Sequence, residues 1–162
     1  MSFERPLQAR EADGGQGEAQ DARERDFSAG GVVVHDGQVA VIVPRKRGPQ
    51  GERVLGLPKG HPDGDESAEQ AAAREVREET GLQVELLAPL GEIAYTHRRA
   101  GRTVDKRVRF YLFAYRSGRL EDHDEEIEEA RWMPLQEAAR ALTFEGEREI
   151  VRRAISQMAP GR

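Results

Sequence analysis

The sequence predicts an α/β fold, with a mixed β-sheet lying between helical layers. Three observations lead there. Short runs rich in β-branched and aromatic residues recur from Val32 to Tyr115. One capped helical segment interrupts them near residues 67–80. Two further segments with helical periodicity close the chain.

Taken in order, residues 1–26 are polar and nearly free of large apolar side chains. Such a segment buries too little surface to offset its ordering entropy, so it reads as a flexible tail ahead of a domain spanning 27–160. Order is expected to begin at Phe27. Val32-Val33-Val34 and Val39 to Val43 read as paired strands, with His35-Asp36-Gly37 supplying the turn. Pro44 ends the second strand, and Arg45 to Gly51 forms a basic loop. Val54 to Leu57 reads as a short strand, and Gly60 to Asp65 as a loop. Ser67 and Gln70 have the spacing of a capping box, and Gly81 suits the C′ position of a helix ending at Thr80. Two strands are expected within Leu82 to Tyr95, and a longer one over Val104 to Tyr115, where apolar residues alternate. Glu121 to Glu129 is an acidic stretch. Leu135 to Leu142 and Glu145 to Met158 read as helices, the second with Ile150, Val151, Ala154, Ile155 and Met158 at helical spacing.

Composition narrows the chemistry. The 162 residues suit one domain with a core that needs no staples. The absence of cysteine excludes disulfides, thiolate catalysis and cysteine-ligated metal. A net charge of −5 argues against general nucleic-acid binding, while nucleotides remain possible because a metal ion can carry positive charge locally. No apolar run approaches the length of a membrane span, and the first residues lack a signal-peptide core. A soluble, cytoplasmic protein is therefore expected.

Residues 60–82 carry the functional signal. Glu75, Glu78 and Glu79 stand at i, i+3 and i+4, which stacks three carboxylates on one helix face. Like charges so placed repel by a few tenths of a kcal/mol per pair. A hard divalent cation, Mg²⁺ or alternatively Mn²⁺, is the natural compensation. It prefers carboxylate oxygen and is completed by substrate phosphates. In isolation this spacing more often marks a solvated helix face.

The context decides. Gly60, Glu66, Arg74, Glu75, Val76, Glu78, Glu79, Gly81 and Leu82 fill every specified position of the Nudix box, a match expected by chance on the order of 10⁻⁹ per starting position. The chain therefore resembles the Nudix hydrolase family, in looser form from about Phe27 to Met158. The resemblance implies an α/β/α sandwich and metal-dependent hydrolysis of a diphosphate linkage. It implies Glu75, Glu78, Glu79 and a main-chain carbonyl of Lys59 as metal ligands, with Glu66 as a further ligand or an acceptor behind them. Arg74 is expected to orient a catalytic glutamate. Glu78 or Glu79 would activate the water, or else a glutamate from a later loop, with Glu125, Glu126 and Glu128 as candidates.

The substrate class is read from flanking residues. Leu57-Pro58-Lys59-Gly60-His61 and Ser28-Ala29-Gly30-Gly31 are similar to segments of diadenosine polyphosphate hydrolases and of MutT-type housecleaning phosphatases. The downstream proline of the ADP-ribose subgroup is replaced by Arg98. A dinucleoside polyphosphate such as diadenosine tetraphosphate is the first expectation, and a modified nucleoside triphosphate the alternative. Lys59, His61, Arg45, Lys46 and Lys106 are expected to meet phosphate, and Tyr95 and Tyr111 to stack on a base. A non-catalytic nucleotide-binding regulator and an inositol pyrophosphate hydrolase stay open as other readings. Oligomeric state is not legible.

Overall fold

The computed structural model describes residues 23–159, so most of the expected tail lies outside the described residues. Its contacts divide into two units, the larger holding 27–94 and 107–159, the smaller 23–26 and 95–106. Strands β1 (Glu24–His35), β2 (Gln38–Pro44), β3 (Lys59–Gly60), β4 (Leu82–Arg99), β5 (Arg102–Gly118) and β6 (Ile127–Pro134) form one sheet in the order β4-β5-β1-β2-β6, with β3 paired to β1. Helix α1 spans Ala68–Thr80, α2 Leu135–Ala141 and α3 Glu145–Met158.

Local chemistry sets most of these bounds. Asp36 and Gly37 both adopt positive φ, 51° and 77°, and the register His35↔Gln38 closes a two-residue hairpin around them. Ser67 caps α1 through the Gln70 amide at 3.1 Å, and the Gln70 side chain returns the contact to the Ser67 amide at 3.0 Å. Such a cap is worth about 1 kcal/mol. Gly81 at φ 78° ends the helix in the left-handed region.

The sheet alternation sorts the core into two layers. Val32, Val39, Val41, Val108, Phe110 and Leu112 join α2 and α3 residues such as Ala138, Ile150 and Val151. Their sequence neighbours Val33, Ala40, Tyr111 and Phe113 join Ala71, Ala72 and Val76 of α1. Period-2 strands facing period-3.6 helices on both sides make the α/β/α sandwich.

Several expectations are corrected. Residues 82–95 form one strand rather than two, because the chain passes through Gly91 at φ 118° without leaving the sheet. Residues 54–57 form no strand: Gly56 exchanges two backbone hydrogen bonds with Ile42, and the alternate residues turn to the C-terminal segment. Gly60 lies in β3, not in a loop. The first strand starts at Glu24, three residues before the expected Phe27. Within the smaller unit, ion pairs hold this segment: Arg23 with Asp105 at 3.0 Å, Glu24 with Arg99 at 3.4 Å and Asp26 with Lys106 at 3.1 Å. No helix among the described residues is long and apolar enough to cross a membrane.

Candidate active site on the central helix

Helix α1 buries Ala72 and Val76 against the sheet; Arg74 and Glu78 lie on the opposite side of the helix, while Glu75 and Glu79, three residues after Ala72 and Val76, border the apolar stripe. Arg74 is the hub. Its Nε and Nη2 donate to the two oxygens of Glu66 at 2.8 and 3.0 Å, a bidentate fork. Its Nη1 donates to Glu75 Oε2 at 3.0 Å and to both Glu78 oxygens at 3.3 Å. Nη2 also donates to the His61 carbonyl at 2.8 Å, tying the preceding loop to the helix. Arg74 and Glu78 thus form an i,i+4 pair, and Glu75 and Glu66 join it.

The strand Lys59–Gly60 gathers the remaining carboxylate. The Lys59 amide donates to Glu79 Oε1 at 3.1 Å. The Glu75 carboxyl group lies against the Gly60 α-carbon so closely that any Cβ there would fall inside it. Gly60 is thus glycine to seat Glu75. Glu75 and Glu79 accordingly sit on adjacent residues of β3. Among the described residues no three His, Asp or Glu side chains converge on one point as a ready cation cage. Glu75 and Glu78 meet at Arg74, and Glu79 turns to Lys59.

Charge is out of balance here. Burial pushes the Glu75 carboxyl up, with Arg74 opposing, and burial pushes Glu79 up to about 8, with the Lys59 amide opposing and the Glu75 charge adding to the rise. Glu66, by contrast, is held below the usual carboxylate range by Arg74 and the Asp63 amide. A half-buried carboxylate whose charge is this costly suits a cation, and carboxylate oxygens are the donors a hard divalent ion prefers.

The loop after β5 completes the surroundings. The Asp124 amide donates to the Glu78 carbonyl at 2.9 Å, and the Asp124 charge is felt at Glu79. The expected base candidates are differently engaged. The Glu125 and Glu126 carbonyls accept from Arg45, and Glu128 pairs with Arg53 at 2.9 Å and Arg47 at 3.3 Å. Asp124, inside the acidic stretch but not singled out in it, is the residue this loop brings to the helix. The same loop lines a cavity of about 330 Å³ with His123, Arg131 and Trp132.

The expected substrate residues separate into groups. His61 is exposed beside Arg74, and Lys46 is exposed on the basic loop. Arg45 is anchored by Nε to the Glu125 carbonyl at 2.7 Å. The Lys59 ammonium is paired with Glu147 at 3.1 Å. Tyr111 is only 5% exposed, packed against Phe113 in the α1 layer, so it offers no stacking face. Lys106 and Tyr95 belong to the smaller unit. Lys106 is buried on Asp26, which uses its charge internally, whereas Tyr95 is exposed with its ring 6.0 Å from His97.

Sequence reasoning missed Glu147. It is 2% exposed, and its Oε1 accepts the Leu57 amide at 2.9 Å. A signal existed: Glu147 lies three and four residues before Ile150 and Val151, a charge on the apolar stripe of α3.

Comparison with known proteins agrees with this geometry. The NUDIX domain family model matches residues 25–154. The chain is 40% identical over 131 residues to the putative mutator protein MutT4 of Mycobacterium tuberculosis, covering 77% of this chain and 52% of that one. It is 31% identical over 134 residues to the 8-oxo-(d)GTP phosphatase of Mycolicibacterium smegmatis, covering 82% and 39%. The chain therefore spans about half the length, or less, of these curated relatives. A NUDIX hydrolase structure from Nitrosomonas europaea matches with a TM-score of 0.67 at 22% identity, over 83% of this chain and 90% of that one, which shows the shared fold.

Proposed function

The chain belongs to the Nudix family, and from that premise we propose that the α1 site hydrolyses a diphosphate linkage in a nucleoside polyphosphate. The observation that carries this reading is the cluster itself. One arginine, Arg74, faces Glu66, Glu75 and Glu78, while Glu79 is pushed up to about 8 alongside.

Glu75, Glu78 and Glu79, with the Lys59 carbonyl, would hold a divalent cation, Mg²⁺ first. When bound it screens phosphate charge and makes a water more acidic. The chain's own groups supply positioning. Arg74 fixes Glu66, Glu75 and Glu78 relative to one another, and β3 fixes Glu75 and Glu79 through Gly60 and the Lys59 amide. Glu79 is our candidate to take the proton from the attacking water, because its environment raises its basicity toward neutral pH. Glu78, with 42% of its side chain exposed, is the alternative. His61 and Lys46, both exposed, are candidates to meet phosphate.

Two substrate readings each have support. The similarity to an 8-oxo-(d)GTP phosphatase favours a nucleoside triphosphate, including an oxidised one. The segments 57–61 and 28–31 favour a dinucleoside polyphosphate. The test is a product-resolved screen of 8-oxo-dGTP, unmodified triphosphates and diadenosine tetraphosphate, with Mg²⁺ and with chelator. Chelator-sensitive release of a nucleotide from one of these is the expected result. No turnover on any of them would defeat the reading.

A further inference from the structure

Strand β6, at the edge of the sheet, and the short 3₁₀ turn Leu120–Asp122 flank the cavity of about 330 Å³. That volume stands at the lower end of the range for small-molecule sites, about 300–1,000 Å³, and suits one ring-sized group. Trp132 and Leu120, both on its wall, also pack against the α1 layer of the core, so the cavity lies on the α1 side of the sheet. His123 lines it too, and the next residue, Asp124, donates its amide to the Glu78 carbonyl at 2.9 Å.

Trp132 supplies a flat apolar wall. Two rings outside the cavity hold it in place: Tyr115 meets it edge-on at 5.7 Å, and His35 lies tilted against it, also at 5.7 Å. An indole fixed in this way loses little freedom on stacking. Ala130, two residues before Trp132 on the same strand face, is small and leaves space beside the ring. The polar groups are acceptors. His123 Nδ1 lies 2.9 Å from the Asp124 carbonyl, which can only accept, so in the neutral ring Nε2 keeps its lone pair. Glu121 presents an exposed carboxylate whose partner Arg119 stands 3.6 Å away. The nearby guanidinium groups are engaged: Arg131 by Glu129 at 3.2 Å, and Arg47 and Arg53 by Glu128 at 3.3 and 2.9 Å. A phosphate would have to break those pairs, whereas an uncharged ring carrying N–H donors would not.

We propose that this cavity is the nucleobase subsite and that it selects guanine: the ring stacks on Trp132 above Ala130, and its adjacent N1–H and N2–H₂ donors meet the Glu121 carboxylate. Adenine offers one donor and one acceptor along that edge, which leaves a carboxylate oxygen facing a lone pair. The inference rests on the nucleotide reading of the α1 site and names the base. Tyr111, one of the residues expected to stack, is core, and Trp132 takes that place.

Trp132 is the only tryptophan of the chain, so its fluorescence reports the cavity directly. The probe is guanosine, which carries no phosphate, titrated into the full chain with chelator present. A saturable change is expected, with guanosine binding about tenfold tighter than adenosine. Ala130→Leu keeps the tryptophan but fills the space beside it, and should weaken guanosine about tenfold. If Ala130→Leu does not fold, Glu121→Gln, on an exposed side chain, carries the test; it should weaken guanosine about tenfold and leave adenosine within about twofold. In turnover of a guanine nucleoside triphosphate with Mg²⁺, the folded variant should raise KM about tenfold and leave kcat within about twofold, a split that a merely structural defect would not give. No saturable change with guanosine, equal affinity for adenosine, or a KM that the variant leaves unmoved overturns the inference. Guanosine binding needs neither metal nor hydrolysis. Its failure therefore leaves the proposed hydrolysis standing, while absent turnover beside intact guanosine binding removes the hydrolysis reading and leaves the base site.

Discussion

Two ion clusters in the larger unit use the same residue types in opposite proportions. On the strands, Glu92 receives both Arg107 and Arg109, each at 2.6 Å, and the two guanidinium groups hold its carboxyl below the ordinary carboxylate range. On α1, a single guanidinium serves Glu66, Glu75 and Glu78, and burial pushes the carboxyls of Glu75 and Glu79 up. The strand cluster is satisfied by its own chain. The helix cluster is not, and the surplus negative charge is what a bound cation would neutralise. Balance of charge, rather than number of charges, separates the structural cluster from the candidate catalytic one.

The largest expected effect comes from Glu79→Gln. The amide oxygen still accepts from the Lys59 amide, so the fold should persist, while turnover should fall by about 10³-fold, within the range for loss of a general base. Circular dichroism beside a kcat measurement separates the two. A folded variant with near-normal kcat would make the α1 cluster no more catalytic than the strand cluster.

Gly60→Ala should follow. A methyl group there displaces the Glu75 carboxyl, and a loss of about 10²-fold in kcat/KM is expected even though no charge changes. Arg74→Lys keeps the charge but replaces the planar fork by a point cation, which cannot bridge Glu66, Glu75 and Glu78 together. About a tenfold loss in kcat/KM is expected, with a raised Mg²⁺ requirement in the same assay.

The smallest effect belongs to the strand cluster. Glu92→Gln should leave turnover within about twofold, as its side-chain hydrogen bonds among the described residues are with Arg107 and Arg109. Its signature is in acid. A carboxyl lowered in the fold stabilises above its ordinary value of 4.5, and that contribution is lost as pH falls through the lowered value. The stability difference between wild type and Glu92→Gln should therefore shrink below pH 4.5 in denaturant titrations. A gap that widens toward acid would reverse the assignment.

Much of the site was legible because it is local. The capping box at Ser67 and Gln70, the Gly81 terminus and the i, i+3, i+4 glutamates all lie within one helix, where spacing dictates which side chains share a face. The Asp36-Gly37 hairpin was legible for the same reason: its two residues accept positive φ at low cost. Tyr111 shows where such reading fails. Alternation in β5 correctly split the residues between two faces, but both faces are covered, so a tyrosine that looked available is core. Lys106 fails similarly, since the carboxylate that takes it lies eighty residues away.

By itself, then, the chain's order of residues determined the helix, its caps, the carboxylate spacing and the alternating strands, because each depends on neighbours within a few positions. Only the tertiary structure decided that Glu75 would rest on Gly60, that Glu147 would take the Lys59 ammonium, and that residues 54–57 would serve as a bridge instead of a strand. Those outcomes depend on which distant group arrives to desolvate or neutralise a side chain, and residue spacing carries no record of that.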